Sequence, residues 1–187
     1  YLILQSLDAA NKYLTDYAER LQSFLTEVKR LKDDLAAHGY CLSGSEPLKI
    51  TVSAKEYGYS GNELARILSQ KDIICEFSDP DFTVFMLTPE NTEYALQRLQ
   101  KALSEIPQRV PIQDAPPIIN EGEKVLSVRE ATLSPSETVS VDESCGKVLA
   151  AATVGCPPAV PILVGGERID SNAIACFKYY SINSLDV

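Results

Sequence analysis

The first part of the chain has the apolar spacing of one long helix. Apolar residues recur at alternating steps of three and four, at Leu7, Ala10, Leu14, Tyr17, Leu21, Phe24, Val28, Leu31 and Leu35. The flanking positions Asn11, Ala18, Leu25 and Lys32 mostly widen this stripe and do not carry paired charges. A wide stripe favours a helix that lies against a globular core or a subunit interface over a two-stranded coiled coil. His38 and Gly39 are typical of its C-terminal end.

A small α/β layer is predicted next. Leu48, Ile50 and Val52 alternate with polar residues, which indicates a half-buried strand. Ser60 and Glu63 have the spacing of a capping box, so a helix is expected to follow them. Two further strands are predicted over "DIICEF" and "FTVFML", joined by a turn at "SDPD".

The last helix of this layer is predicted to begin at Thr88 and Pro89, because proline is favoured at the first helical position. Its buried side is expected to carry Tyr94, Ala95, Leu99 and Leu103.

The composition changes after Ile106. Four prolines follow closely, at Pro107, Pro111, Pro116 and Pro117, and no periodicity survives among them. We therefore expect two domains, 1–106 and 107–187, with an amphipathic helix over "DSNAIACFKYYSIN" in the second. The predicted fold class is α/β (α+β): a long N-terminal helix, a small-domain sheet covered by helices, and a smaller C-terminal α+β domain.

The stretch from Val148 to Gly166 carries no charged side chain and approaches the ~20 residues that a membrane-spanning helix needs. Pro157, Pro158 and Pro161 argue against a span, because each removes a helical hydrogen bond that lipid cannot replace. We predict instead a core hairpin: a strand from Val148 to Val154, a proline corner, and a strand from Ile162 to Val164. Gly165 and Gly166 would then form a tight turn that presents Glu167.

Composition and charge indicate a folded protein with an acidic surface. The 187 residues are 45% hydrophobic and carry a net charge of −9, so nucleic acid and anionic membranes are poor partner predictions. The five cysteines lack metal-ligand or redox spacing, and we expect small buried residues in a reducing cytoplasm. No signal peptide opens the chain, and the apolar helical pattern at Tyr1 without an initiator Met predicts a piece of a longer protein.

Known catalytic motifs are missing from the sequence. It has no Gly-rich phosphate loop, His-Glu-x-x-His motif, Walker lysine or nucleophile elbow, and its one histidine, His38, has no companion for a triad or a zinc site. No metal site is therefore predicted, and the residues alone show no complete active site.

Three blocks of sequence, in the same order, resemble the Orn/Lys/Arg decarboxylases, bacterial PLP-dependent enzymes of the aminotransferase-like fold. The start "YLILQSLDAAN" is similar to the segment after that family's catalytic core. The run "YSGNELARILSQKDIICEFSDPDFTVFMLTPENTEYALQRLQKAL" resembles its small domain. The pair "PSETVSVDESCGKVLAA" and "CPPAVPILVGGERI" resembles its C-terminal signature.

Four positions depart from the family pattern. Cys156 stands where the family usually has Tyr, Ala159 replaces a Gly, Gly165 replaces a Pro, and Lys147 replaces an Arg. These changes leave the expected fold intact but bear on which substrate is used.

The resemblance implies a parent enzyme that converts ornithine, lysine or arginine to its amine and CO2, as in polyamine biosynthesis. PLP would be held by a lysine of a large domain that precedes Tyr1, and PLP would act as electron sink. This chain is then expected to bind no cofactor and to be inactive alone. It would contribute a channel wall and a subunit interface.

Two residues are candidates for the substrate channel. Glu76, at the end of the predicted strand Ile73 to Phe77, matches a family Glu and could select a cationic side chain. Glu167, which matches the Glu of the family's Pro-Gly-Glu, is the second candidate. The competing interpretations are a solvated strand-end residue for Glu76 and an anchor of the Gly165–Gly166 turn for Glu167.

A second hypothesis remains open, in which the chain is a stand-alone, non-catalytic α/β module that binds a ligand or partner. Under the first hypothesis, the apolar residues Leu2, Ile3, Leu4 and Leu7 would be partly unburied. Such a patch favours association, so we expect a homo-oligomer, specifically a dimer.

Overall fold

The helices and small antiparallel sheets of the chain form two units, Tyr1–Gln113 and Asp114–Val187. The computed structural model describes residues 1–150, 153–156 and 160–187. This mixture of elements confirms the α/β (α+β) class. The chain just beyond Ile106 is hydrogen-bonded to the first unit. The backbone N–H groups of Arg109 and Ile112 donate to Tyr57 O and Lys55 O at 3.1 and 3.0 Å.

Unit 1 contains four helices and a four-stranded sheet among its residues 1–113. In chain order the elements are α1 Leu2–Tyr13, α2 Tyr17–Ala37, β1 Leu42–Ser43, β2 Lys49–Ser53, α3 Gly61–Ser69, β3 Phe77–Ser78, β4 Phe82–Met86 and α4 Glu93–Ser104. The antiparallel sheet has the order β1-β2-β4-β3, with Ile50 opposite Phe85 in the central pair. Ile50 and Val52 are buried, as the alternating pattern predicted.

The long N-terminal pattern is divided between two helices with different surroundings. The second half is as predicted: Phe24, Val28, Leu31 and Leu35 of α2 are buried in the core of unit 1. A 3₁₀ turn, Leu14–Asp16, separates α2 from α1, which has no buried residue. The expected exposure of Leu2, Ile3, Leu4 and Leu7 is confirmed, since each is between 58% and 81% exposed.

The helix predicted to begin at Thr88 begins instead at Glu93. Thr92 is its N-cap and accepts a hydrogen bond from Ala95 N at 3.3 Å. Thr88 and Pro89 belong to a preceding turn, in which Asn91 Oδ1 accepts from Thr88 N at 2.8 Å. Asn91 thus offers the backbone a local partner that competes with helix formation. The later start shifts the buried face to Leu96, Leu99, Ala102 and Leu103, so the prediction of a buried Tyr94 is wrong.

The strand predicted from Ile73 to Phe77 is also shorter than expected. Only Phe77–Ser78 pairs with β4, opposite Val84 and Thr83. Asp72 adopts a φ of +55°, and this left-handed residue ends the turn after α3. The segment from Ile73 to Glu76 leads from that turn to the sheet edge. Glu76 is held there by its N–H, which donates to Val84 O at 2.9 Å.

Three stacked tyrosines hold the C-terminal end of α4 and the residues that follow it against the core of unit 1. The ring of Tyr57 lies 3.9 Å from Tyr40 and 6.4 Å from Tyr59, centroid to centroid. Their hydroxyl groups donate to the carbonyls of Leu103, Ile106 and Pro107. These bonds add a donor to the carbonyl of Leu103, which also accepts from Ile106 N at 3.1 Å, and supply donors to the carbonyls of Ile106 and Pro107 beyond the helix C-terminus. Burial raises the pKa of Tyr40 far above its usual value, so its hydroxyl remains a donor.

Unit 2 is built from short elements around its own core. They are β5 Glu123–Lys124, α5 Val128–Leu133, β6 Thr138–Ser140, β7 Thr153–Cys156, β8 Val160–Val164, β9 Glu167–Arg168, α6 Ser171–Tyr179 and β10 Ser184–Asp186. The strands pair as β10-β6, β5-β9 and β7-β8. Helix α6 confirms the predicted C-terminal helix, and Leu149, Ile169, Cys176 and Phe177 are fully buried.

The predicted hairpin is present, with different bounds. Strands β7 and β8 pair antiparallel, but Val148 lies in an isolated bridge with Arg168 and not in β7. Pro161 sits inside β8, which a two-stranded sheet tolerates because each strand has a free edge. The predicted corner at Pro157 and Pro158, together with Ala159, lies outside the described residues.

The cysteines are less uniformly buried than predicted. Cys176 is buried and Cys75 is half-buried, but Cys41 and Cys145 are exposed, so the prediction is wrong for these two. Cys41 follows a chain reversal at Gly39, and Cys145 directly precedes one at Gly146. Both glycines have a left-handed φ, and the chain faces solvent at both turns. None of the described helices is long and apolar enough to cross a membrane.

Candidate functional site

A pocket of about 340 Å³ opens on unit 1 beside Glu76. It lies between the segment that precedes β3, the end of β4 and the first turns of α4. Its floor is apolar and includes the buried residues Phe85, Leu96 and Leu99. Small-molecule sites are typically concavities of about this size or larger, with an apolar lining and a few polar groups.

Three large apolar side chains stand exposed around this pocket. Ile74 is 80% exposed, Met86 58% and Tyr94 72%. Single exposed apolar residues are ordinary, but several around one concavity indicate a contact surface.

The charged side chains of the pocket are Asp72, Glu76 and Arg98. The guanidinium of Arg98 is already engaged: its Nη2 donates to Lys71 O at 2.6 Å and lies 3.5 Å from Asp72 Oδ2. Glu76 is exposed, and its carboxylate makes no ion pair or side-chain hydrogen bond with any residue that the structure describes. The pocket therefore has a net acidic rim, to which Glu76 contributes the unengaged carboxylate.

The thiol of Cys75 also lines this pocket. Burial raises the pKa of Cys75 above its usual value, so the thiol is protonated at neutral pH and is a poor nucleophile there. The arrangement is thus suited to binding a ligand and offers no activated nucleophile of its own.

Glu167 has different surroundings in unit 2. Its carboxylate Oε2 accepts a hydrogen bond from Val164 N at 2.8 Å, across the turn formed by Gly165 and Gly166. Gly166 has a φ of +95°, and a Cβ there would come within 2.4 Å of Leu126 O. The contact with Val164 is the one that the turn-anchor interpretation requires.

The two channel candidates therefore belong to different units, and of the two only the Glu167 carboxylate accepts a hydrogen bond among the described residues. Glu76 faces a pocket, whereas Glu167 is turned toward its own backbone. Sequence reasoning did not find Asp72, Arg98 or the exposed apolar rim. A signal was available only for Met86, because "FTVFML" is apolar apart from Thr83 and so indicates apolar side chains on both faces of its strand.

The residues that line the pocket beside Glu76 do not fit a site that binds PLP covalently. No lysine lines the pocket beside Glu76. The lysine that is most enclosed among the described ion pairs is Lys55, whose side chain is 12% exposed and whose Nζ lies 2.9 Å from Asp81 Oδ1. No group of three or more His, Cys, Asp or Glu residues within the described ranges could hold a metal ion.

Comparison with known proteins gives one consistent result. Residues 123–184 match the family model described as Orn/Lys/Arg decarboxylase, C-terminal domain. An arginine decarboxylase of Bacillus subtilis (strain 168) is 28% identical over 209 residues, which cover 100% of this chain and 41% of that protein. An arginine decarboxylase of Halalkalibacterium halodurans is 28% identical and covers 95% of this chain and 40% of that protein.

Solved structures show the same fold at lower sequence identity. The E. coli constitutive lysine decarboxylase matches with a TM-score of 0.56 and 16% identity, over 91% of this chain and 36% of that one. The Francisella novicida lysine decarboxylase matches with a TM-score of 0.52 and 16% identity, over 73% and 27%.

The chain spans about two fifths of the length of the curated relatives that it matches, at their C-terminal end. These matches confirm the resemblance that the sequence motifs indicated: the chain is related to the C-terminal portion of the Orn/Lys/Arg decarboxylases, and its residues 123–184 match that family's C-terminal domain.

Proposed function

We propose that this chain is the C-terminal part of a PLP-dependent decarboxylase that converts ornithine, lysine or arginine to the corresponding amine in the cytoplasm. The observation that carries the proposal is the match over the whole chain to the C-terminal two fifths of an arginine decarboxylase. PLP supplies the electron sink for loss of CO2 when bound. Its lysine would lie in the part of the relatives that this chain does not cover.

Within that enzyme, Glu76 would form part of the channel wall and attract the cationic end of a basic amino acid. Its support is geometric: the carboxylate is unengaged at the rim of an apolar pocket, and Val84 O holds its backbone in place. A charged hydrogen bond to an ammonium or guanidinium group would favour basic substrates over neutral ones.

The role proposed for Glu167 is to shape the turn at Gly165–Gly166, with a channel role as its competing assignment. A glutamine at this position keeps an oxygen that can accept the hydrogen bond from Val164 N, whereas an alanine does not. Glu167→Ala should therefore lower the stability of unit 2 by about 1 kcal/mol, and Glu167→Gln should preserve it. If Glu167→Gln raises KM for a basic amino acid without affecting stability, the channel role is the correct one.

The exposed face of α1 supports the proposed association into a dimer. Leu2, Ile3, Leu4 and Leu7 are exposed together on one short helix. Sedimentation of the chain at increasing concentration should show a dimer that Leu4→Lys weakens. A monomer at every concentration would contradict the proposal.

The activity is tested with the protein that contains this chain. Incubated with PLP, it should release CO2 from one or more of ornithine, lysine and arginine. Glu76→Gln should raise KM by up to about fivefold with little change in kcat, because an exposed ion pair contributes at most about 1 kcal/mol. Glu56→Gln is the matched control, since Glu56 is also exposed but does not line the pocket.

Three results would count against these assignments. If none of the three amino acids yields CO2, the result would support the hypothesis of a non-catalytic module instead. Equal effects of Glu76→Gln and Glu56→Gln would remove Glu76 from the channel. A borohydride-reducible adduct between PLP and the 187-residue chain alone would contradict the proposal that the PLP lysine lies elsewhere.

A further inference from the structure

The pocket beside Glu76 has a composition that distinguishes between two kinds of cationic ligand. It combines an apolar floor, three exposed apolar side chains at its rim, two carboxylates and one arginine. Arg98 donates to Lys71 O and faces Asp72, so its positive charge is directed at groups of the protein. A ligand that enters the pocket meets the carboxylate of Glu76 without a competing cation.

A ligand carboxylate would be disfavoured in this setting. Asp72 and Arg98 face each other and offset each other's charge, so a ligand carboxylate would meet the unengaged carboxylate of Glu76, and like charges that come together at a site reduce affinity and thereby give specificity. An aliphatic chain would lie on the floor formed by Phe85, Leu96 and Leu99, since it removes apolar surface from water on both sides. An ammonium or guanidinium group at the end of that chain would be placed at Glu76.

We propose that this pocket binds an aliphatic amine that carries cationic groups and no carboxylate. Identifying this class as the product of the enzyme rests on the proposed function, because decarboxylation of a basic amino acid yields such a compound. The binding itself follows from the pocket alone. In the enzyme, the pocket would retain the amine after CO2 has left. Accumulated amine would then compete with the cationic end of the incoming substrate for the carboxylate of Glu76.

The test uses two ligands, lysine and 1,5-diaminopentane, that differ only in the carboxylate. 1,5-Diaminopentane is lysine without its carboxylate. Titration of each into the 15N-labelled 187-residue chain, followed by NMR, should shift the amides of residues 72–76 and 94–98. The diamine should bind about tenfold more tightly than lysine, a ratio that corresponds to one unfavourable charge contact.

Two pairs of variants assign the binding to this pocket. Glu76→Gln should weaken diamine binding by up to about fivefold, whereas Glu56→Gln, which removes the same charge outside the pocket, should not. Ile74→Ser should weaken binding, whereas Ile118→Ser should not, although Ile118 is equally exposed at 79%. All four positions are exposed, so the variants should fold; their amide spectra provide the check.

The inference is overturned if the diamine gives no saturable shift in the millimolar range, or if lysine binds as tightly. Equal effects of the pocket variants and their controls would overturn it too. The proposed function is tested separately by CO2 release. An active enzyme whose pocket does not prefer the diamine refutes this inference alone, whereas diamine binding by an inactive protein refutes the proposed function alone.

Discussion

The hydroxyl group of Tyr57 connects the core of unit 1 to the chain that leaves α4. The side chain of Tyr57 is only 2% exposed, and its hydroxyl donates to Ile106 O at 3.1 Å. Tyr57→Phe removes this hydroxyl and keeps the aromatic ring. The stacking on Tyr40 at 3.9 Å and the burial of the ring should therefore be preserved, and no sizeable cavity is created.

The expected loss of stability comes from the hydrogen bond alone. A neutral hydrogen bond contributes about 1 kcal/mol net, and a buried acceptor left without a partner costs about 1–3 kcal/mol. No other group among the described residues donates to Ile106 O, and Ile106 itself is buried at 4% exposure. We expect the free energy of unfolding of unit 1 to fall by about 1–2 kcal/mol, a factor of about 5–30 in its unfolding equilibrium.

Hydrogen exchange can measure this change in unit 1 without contribution from unit 2. Under conditions in which exchange follows the unfolding equilibrium, the amides of β2, Lys49–Ser53, should exchange about 5–30 times faster in Tyr57→Phe. Tyr94→Phe is the matched control. It also removes a tyrosine hydroxyl, but the Tyr94 side chain is 72% exposed, so these exchange rates should not change. Unchanged rates in Tyr57→Phe, or equal acceleration in Tyr94→Phe, would refute the reasoning.

Three further predictions concern other parts of the chain. Gly166→Ala should destabilise unit 2 by about 1–3 kcal/mol more than Gly146→Ala in thermal unfolding, because both have a left-handed φ but only Gly166 lies close to other backbone. Lys55→Met should cost about 3 kcal/mol in urea unfolding, because it leaves the largely buried Asp81 carboxylate without its ammonium partner; a cost near zero would contradict this. Alkylation followed by mass spectrometry should label Cys75 slowly at neutral pH and faster only at alkaline pH, because burial raises its pKa and the reactive thiolate forms late; rapid labelling at pH 7 would contradict the assignment.

Local patterns predicted the elements of unit 1 whose signals are short-range. Alternation identified the strand that contains Ile50 and Val52, and the spacing of Ser60 and Glu63 identified the start of α3. Only half of that capping box forms, since Ser60 accepts from Glu63 N but the Glu63 carboxylate pairs with Arg109 at 2.9 Å. A partner distant in sequence thus replaced the local one.

The errors have the same origin. Pro89 is a strong helix-start signal, yet Asn91 and Thr92 provide a nearer set of backbone partners, and α4 begins four residues later. That delay turned Tyr94 out of the core and to the rim of the pocket. Two competing local signals cannot be ranked without the packing that selects one of them.

The candidate site could be predicted only in part. The resemblance drew attention to Glu76 and Glu167, but the sequence could not show that one carboxylate is unengaged and that the other accepts from Val164 N. Nor could it place Ile74, Met86 and Tyr94 around one pocket, because these residues come from three different elements.

By itself, the sequence determined the mixed α/β class, the relationship to the Orn/Lys/Arg decarboxylases and the hairpin near Gly165 and Gly166. Each of these follows from residues that are close together along the chain or from motifs in a fixed order. The tertiary structure alone decided which apolar residues remain exposed, where the chain beyond Ile106 is hydrogen-bonded and which carboxylate is available to a ligand. Those properties depend on contacts between residues far apart in sequence, such as Tyr57 with Ile106 and Arg109 with Glu63, which local spacing does not encode.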